Sequence, residues 1–137
     1  MVYFETVLPV RYYETDQMAI VHHSNYIRYF EVARMAFMDE IGFPMEECER
    51  IGVVIPVVSV ECKYKHSALL GDKLTVNVMV DKVPGAKMVI RQQVLNQHGQ
   101  LCAEGTVVVG FLDKEKGNIV RCPQKFADLI EARLNDR

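Results

Sequence analysis

Between Arg11 and Arg34 the sequence reads RYYETDQMAIVHHSNYIRYFEVAR. An acidic turn, Glu14-Thr15-Asp16, leads to paired histidines, His22 and His23, and then to the start of the chain's longest apolar helical pattern. A carboxylate just ahead of a helix N-terminus has a chemical use. The free N–H groups of the helix end polarise a carbonyl, and the carboxylate attacks it or activates water against it. The plainer alternative for Asp16 is a turn-forming aspartate, and Glu14 reads as its structural or electrostatic neighbour rather than a second acid. Adjacent histidines usually diverge, and no H-x-x-x-H spacing or nearby cysteine completes a set of ligands, so no metal is expected. No G-x-S-x-G elbow or Ser-His-Asp order is present, which counts against a serine hydrolase but not against hydrolysis.

The elements that must position these residues follow from periodicity. Residues 6–13 read as a first strand, with Leu8, Val10 and Tyr12 on one side and Pro9 marking an edge or a strand start. Residues 14–24 follow no period and read as a loop, with Ser24 or Asn25 placed to cap a helix. Over residues 25–41, Tyr26, Phe30, Ala33, Phe37 and Ile41 keep helical spacing, and Tyr29, Val32 and Ala36 widen the apolar face. Such a stripe suits a helix covered on most sides. Gly42 ends it, Pro44 blocks continuation, and a short helix follows over residues 45–50.

Most of residues 53–112 then reads as strands. Val58, Val60, Cys62 and Tyr64 alternate with polar neighbours, as do Leu74, Val76, Val78 and Val80. Turns fall at Leu70-Gly71-Asp72, at Pro84-Gly85 and around Asn96 to Gly99, and residues 87–95 and 101–112 complete the series. Short turns between neighbouring strands imply antiparallel hairpins. The tail from Pro123 reads as a terminal helix. One strand, one long buried helix and four more strands give an α+β architecture: a five-stranded antiparallel sheet curled around a central helix, plus a C-terminal helix.

The chain has 137 residues, half of them apolar and a quarter charged. That suits a single domain over residues 1–137 with a sizeable core. Its formal charge of −2 gives no field pointing to nucleic acid. The opening segment is broken by Glu5, Pro9 and Arg11, so no secretory signal is expected. No apolar run approaches the roughly 20 residues of a membrane span. Cys48, Cys62, Cys102 and Cys122 stand singly. Cys62 and Cys102 each lie four residues from a histidine, about 13 Å along a strand and too far to share an ion. All four read as space-filling reduced thiols of a cytoplasmic protein.

The order of elements resembles the hot-dog fold. Glu14-Thr15-Asp16, Ile20-Val21-His22-His23, Asn25-Tyr26, Phe30-Glu31 and Arg34 resemble the opening motif of the 4-hydroxybenzoyl-CoA thioesterase family, nearest its YbgC-type acyl-CoA thioesterase branch. The resemblance implies that Asp16 is the catalytic nucleophile or general base. It implies that the His23 backbone N–H polarises the thioester carbonyl, that the His23 side chain positions water or substrate, and that Tyr26 lines the acyl pocket. One position departs from the pattern: Ala19 stands where the family has glycine. Its methyl would narrow the substrate site, or oppose a positive φ if the turn demands one.

A thioester suits these residue types. A thiol of pKa about 8.5 leaves as thiolate without a strong acid, so a nucleophile and an oxyanion site suffice. Coenzyme A phosphates should meet positive charge, for which Lys63, Lys65, His66 and Lys87 are the candidates, with Lys82 and Arg91 beside Lys87. The resemblance implies contacts across a dimer interface. An open sheet edge likewise favours a homodimer or a dimer of dimers. The expected function is acyl-CoA hydrolysis without cofactor. The alternatives are a non-hydrolytic module holding an acyl-CoA or acyl-carrier thioester, and a hydratase or dehydratase, for which the His/Asp or His/Glu motif is missing.

Overall fold

The structure, a computed structural model, describes residues 1–136. Its centre is α1 (Ser24–Ile41), in which Tyr26, Tyr29, Phe30, Ala33, Phe37 and Ile41 are buried at helical spacing. Gly42, at φ 96°, ends the helix, and its N–H turns back to the carbonyls of Asp39 and Met38. Pro44 then opens α2 (Met45–Ile51), in accord with the expected second helix.

Around α1 wraps a sheet of β1 (Val2–Pro9), β3 (Val57–Tyr64), β4 (Lys73–Val80), β5 (Lys87–Leu95) and β6 (Leu101–Gly110). Their spatial order is β1-β4-β5-β6-β3, with every neighbouring pair antiparallel. Leu74, Val76, Val78 and Val80 of β4, with Ile90, Val94, Ala103 and Val107 of β5 and β6, form the sheet's side of the core. Gly105 of β6 lies close both to the neighbouring strand β3 and to α1. A methyl there would lie 2.1 Å from the Glu61 carbonyl oxygen and 3.0 Å from the Phe30 ring, so only glycine fits. The C-terminal helix α3 (Gln124–Asn135) stacks Phe126 on Phe43, with ring centroids 4.7 Å apart.

Four expectations need correction. The first strand runs four residues earlier than its pattern, pairing with β4 from Val2 to Pro9. Beyond Pro9 the Arg11 N–H is taken by the Glu14 carboxylate, and Tyr12–Glu14 forms a 3-10 turn with Tyr12 and Tyr13 exposed. The Leu70-Gly71-Asp72 turn does not make a hairpin: β3 pairs with β6, on the far side of the sheet from β4. The connecting residues 65–72 have another partner, the acidic loop, described below. The last strand breaks at Phe111. Leu112–Asp113 (β7) then pairs with Val53–Val54 (β2) in a separate ribbon. Finally, the alternation in β3 buries neither face well. Val58 is 53% and Tyr64 50% exposed, because β3 is an outer strand whose flank nothing among the described residues covers.

Cys48, Cys102 and Cys122 are buried free thiols and Cys62 is half-buried. Burial pushes the Cys122 thiol up to about 12, in keeping with a space-filling role.

Candidate active site

The acidic loop is held from below by Glu14, the chain's one buried glutamate among the described residues. Its Oε1 accepts from the Arg11 backbone N–H (2.8 Å) and the Tyr29 hydroxyl (3.0 Å), and its Oε2 from Arg11 Nη1 (3.1 Å). The Glu14 carbonyl accepts from the His22 N–H (2.9 Å) and from Asn25 Nδ2 (2.8 Å). One residue therefore ties the loop to two points of α1. Burial, reinforced by the Glu14 charge, pushes the Tyr29 phenol well above its ordinary range, so it stays a donor. The arrangement agrees with a structural Glu14.

Two residues on, Asp16 is exposed at the loop's tip. Its Oδ1 accepts from the Met18 N–H (2.8 Å), its N–H donates to the Ile20 carbonyl (2.9 Å), and its own carbonyl accepts from Ala19 (3.0 Å). Closing this turn sets Ala19 at φ 61°, the one non-glycine residue with positive φ among those described. A positive φ is thus required where the sequence departs from glycine, and alanine adopts it. The loop is fixed from outside by residues 65–72. Val21 donates to the Ala68 carbonyl (2.8 Å), Leu70 donates to the Ala19 carbonyl (3.1 Å), and Ile20 bridges to Leu69. Asp72 closes that strap, accepting from the Leu69 N–H and from Gln97 Nε2.

The helix start differs from expectation. Neither Ser24 nor Asn25 caps α1: His23 occupies the cap position with helical dihedrals and no side-chain cap bond. Asn25 is drawn inward to Glu14, while the Ser24 N–H is met by His22 Nδ1 at 3.2 Å. The His23 backbone N–H has no acceptor among the described residues, as an oxyanion donor requires. The imidazoles of His22 and His23 do not diverge but stack, with centroids 4.2 Å apart.

These groups open on one cleft of about 540 Å³, lined by Asp16, His22, His23, Tyr26, Tyr64, Lys65 and His66 among others. Tyr26 forms its inner wall, its hydroxyl oxygen accepting from the Ala68 N–H (3.2 Å). Tyr64 closes the side, with ring centroids 5.5 Å from Tyr26 and 6.1 Å from His23. Of the residues singled out in sequence, Asp16, His23, Tyr26, Lys65 and His66 converge. Ala19 shapes the loop behind the rim without lining the cleft. Lys63 and Lys87 lie elsewhere in the chain. Alternation turns Lys63 to the sheet's other face beside Glu61 (3.7 Å), and Lys87 borders a groove with Lys82 and Pro84.

Sequence reasoning overlooked Tyr64, Ile20, Val21 and Ser67 as lining residues. Tyr64 was legible only as a strand residue. It reaches the site because β3 ends beside the α1 N-terminus, a consequence of β3 pairing with β6.

The sequence matches the thioesterase-like superfamily over residues 10–130. It is 34% identical over 121 residues to a putative acyl-CoA thioesterase, YneP of Bacillus subtilis, covering 88% of each chain. It is 31% identical over 112 residues to the acyl-CoA thioester hydrolase YbgC of Escherichia coli O6:H1, covering 79% of this chain and 82% of that one. Among solved structures, the DHNA-CoA thioesterase of Staphylococcus aureus superimposes with a TM-score of 0.87 at 30% identity. The match covers 96% of this chain and 89% of that one.

Proposed function

The chain belongs to the thioesterase-like superfamily and carries its hot-dog fold, and from that premise we propose that it hydrolyses an acyl-CoA thioester to the free acid and coenzyme A. The observation that carries the reading is that Asp16 and His23, whose backbone N–H has no acceptor among the described residues, line one cleft. With the thioester carbonyl oxygen on that N–H, the carbonyl carbon is exposed to Asp16, or to water deprotonated by it. Water's oxygen bonds to the carbon, the C–S bond breaks, and the thiolate of coenzyme A departs, taking up the proton. On the direct path the carboxylate bonds first and water cleaves the anhydride. His23 and Tyr26 border the reacting group, and Lys65 and His66 offer positive charge to the phosphates.

The assembly in this reading is at least a homodimer joined along β3. Its apolar residues Val57, Val58, Val60 and Tyr64 are exposed on an outer strand paired on one side with β6, and a partner strand on its open edge would cover part of that surface. Lys63 and Lys87, which do not line the cleft of their own chain, would then be phosphate candidates for the partner's substrate. No described helix is long and apolar enough to cross a membrane.

The test is thiol release from short aliphatic, long aliphatic and benzoyl-type CoA esters, with wild type beside Asp16→Asn. Wild-type release should fall by at least about a hundredfold in Asp16→Asn at an unchanged melting temperature. Equal rates would remove Asp16 from the chemistry. Ligand stabilisation without release from any ester would instead mark a binding module.

A further inference from the structure

A second, largely apolar pocket of about 360 Å³ lies away from the cleft, between the later turns of α1 and the sheet. Met35, Met38, Met45, Met88, Phe37 and Phe126 line it, and Arg34 and Glu31 supply its polar edge. Methionine-rich walls adapt to flexible aliphatic chains. The unusual member is Arg34. Its half-buried guanidinium donates through Nη1 to Gln92 Oε1 (3.0 Å), and no carboxylate among the described residues lies within ion-pair distance. Gln92 is 1% exposed and locked, its Nε2 donating to the carbonyls of Phe30 (3.0 Å) and Asn77 (3.2 Å). Desolvation lowers the Arg34 pKa from its ordinary value while the nearby Glu31 charge opposes that shift, so the cation sits in a poorly hydrated place without a bonded counter-ion. A fixed guanidinium fork with free donors on an apolar pocket is complementary to a carboxylate carried on an aliphatic chain.

The pocket and the cleft share no lining residue, but β3 links them: Val57 at its start lines the pocket and Tyr64 at its end lines the cleft. An antiparallel two-fold pairing of β3 edges sets the Val57 end of one strand beside the partner's Tyr64 end. In such a pairing each pocket would continue the other subunit's cleft. We propose that this pocket receives the far end of the acyl group bound in the partner's cleft, and that Arg34 selects acyl groups ending in a carboxylate. The inference rests on the thioesterase reading and the β3-paired dimer.

Binding separates this inference from the reading beneath it. Adipoyl-CoA against hexanoyl-CoA, and suberoyl-CoA against octanoyl-CoA, are titrated calorimetrically into the Asp16→Asn protein, where no turnover is needed. The carboxylate-ended member of at least one pair should bind about tenfold tighter or more. Arg34→Met in the same background should abolish that preference, and Arg34→Lys, which keeps the charge and lacks the fork, should leave part of it. Equal affinities within both pairs, or a preference that survives Arg34→Met, would overturn the proposal. Hydrolysis by wild type with no such preference refutes the pocket alone, whereas preference without hydrolysis refutes the thioesterase reading alone. Mixing Asp16→Asn subunits with pocket-filling Met38→Trp subunits should restore turnover of the preferred ester that neither homodimer shows. Its absence, with both proteins folded and wild type active, would overturn the cross-subunit placement.

Discussion

Replacing Glu14 by alanine removes one carboxylate and strands three donors, each in a different degree of contact with water. The Tyr29 hydroxyl is fully buried and loses its only described acceptor, a cost of about 1–3 kcal/mol. The Arg11 N–H is part-buried and loses about 1 kcal/mol. The Arg11 guanidinium rehydrates, since its side chain is 41% exposed, and contributes about 0.5 kcal/mol. The sum is about 2.5–4.5 kcal/mol, and for a chain of this length the melting temperature should fall by about 9–16 °C. Glu14→Gln keeps an acceptor for Tyr29 and should cost about 1 kcal/mol. The informative assay pairs a denaturant melt with thiol release on the same proteins. Glu14 does not line the cleft, so activity should track the displacement of the loop: strongly reduced in Glu14→Ala, mostly kept in Glu14→Gln. If Glu14→Gln melted like wild type yet lost activity as fully as Asp16→Asn, the positioning role would be wrong and Glu14 would belong to the chemistry. A melting temperature for Glu14→Ala within about 2 °C of wild type would refute the stability reasoning.

At Ala19, φ 61° costs an L-residue about 1–2 kcal/mol, while glycine brings an entropic penalty of about 0.5–1 kcal/mol. Ala19→Gly should therefore raise the melting temperature by about 2 °C, and Ala19→Val, stiff at χ1, should lower it. Bonding to Arg50 holds the Glu47 carboxyl down to about 2. A carboxylate with a depressed folded pKa stabilises above its unfolded value of about 4.3 and loses that contribution as pH falls towards 2. Side-chain NMR should show Glu47 titrating near the low value, and Arg50→Ala should raise it towards the ordinary carboxylate range, with Lys125 at 3.4 Å still holding it below. An unchanged midpoint in Arg50→Ala would remove the cause assigned to it.

Much of the fold was legible because its signals are local. The 3.6-residue stripe of α1, the glycine after Ile41, and the hairpin turns between β4, β5 and β6 are written in neighbouring residues, and the structure keeps them within a residue or two. Strand pairing is not local. The Leu70-Gly71-Asp72 turn has hairpin composition, yet β3 crosses to β6 because residues 65–72 bond to the acidic loop instead of serving two adjacent strands. The cap was misread for a similar reason. Asn25 has capping chemistry, but its Nδ2 donates to the Glu14 carbonyl, which holds the side chain inward, and no side-chain cap bond forms.

The sequence by itself determined the helix, the strand inventory and the Glu14–His23 loop, together with the residue types that thioester chemistry needs. Those are set by side-chain periodicity and by groups within a few bonds of one another. The tertiary structure alone decided that Tyr64, Lys65 and His66 join Asp16 at one cleft while Lys63 and Lys87 do not. It alone decided that Ala19 bears a positive φ and that Arg34 stands on an apolar pocket beside a locked Gln92. Lys63 and Lys65 are two residues apart, but a pleated strand sends alternate side chains to alternate faces until it ends. Only the position of that end, fixed by pairing with β6, turns Lys65 towards the site.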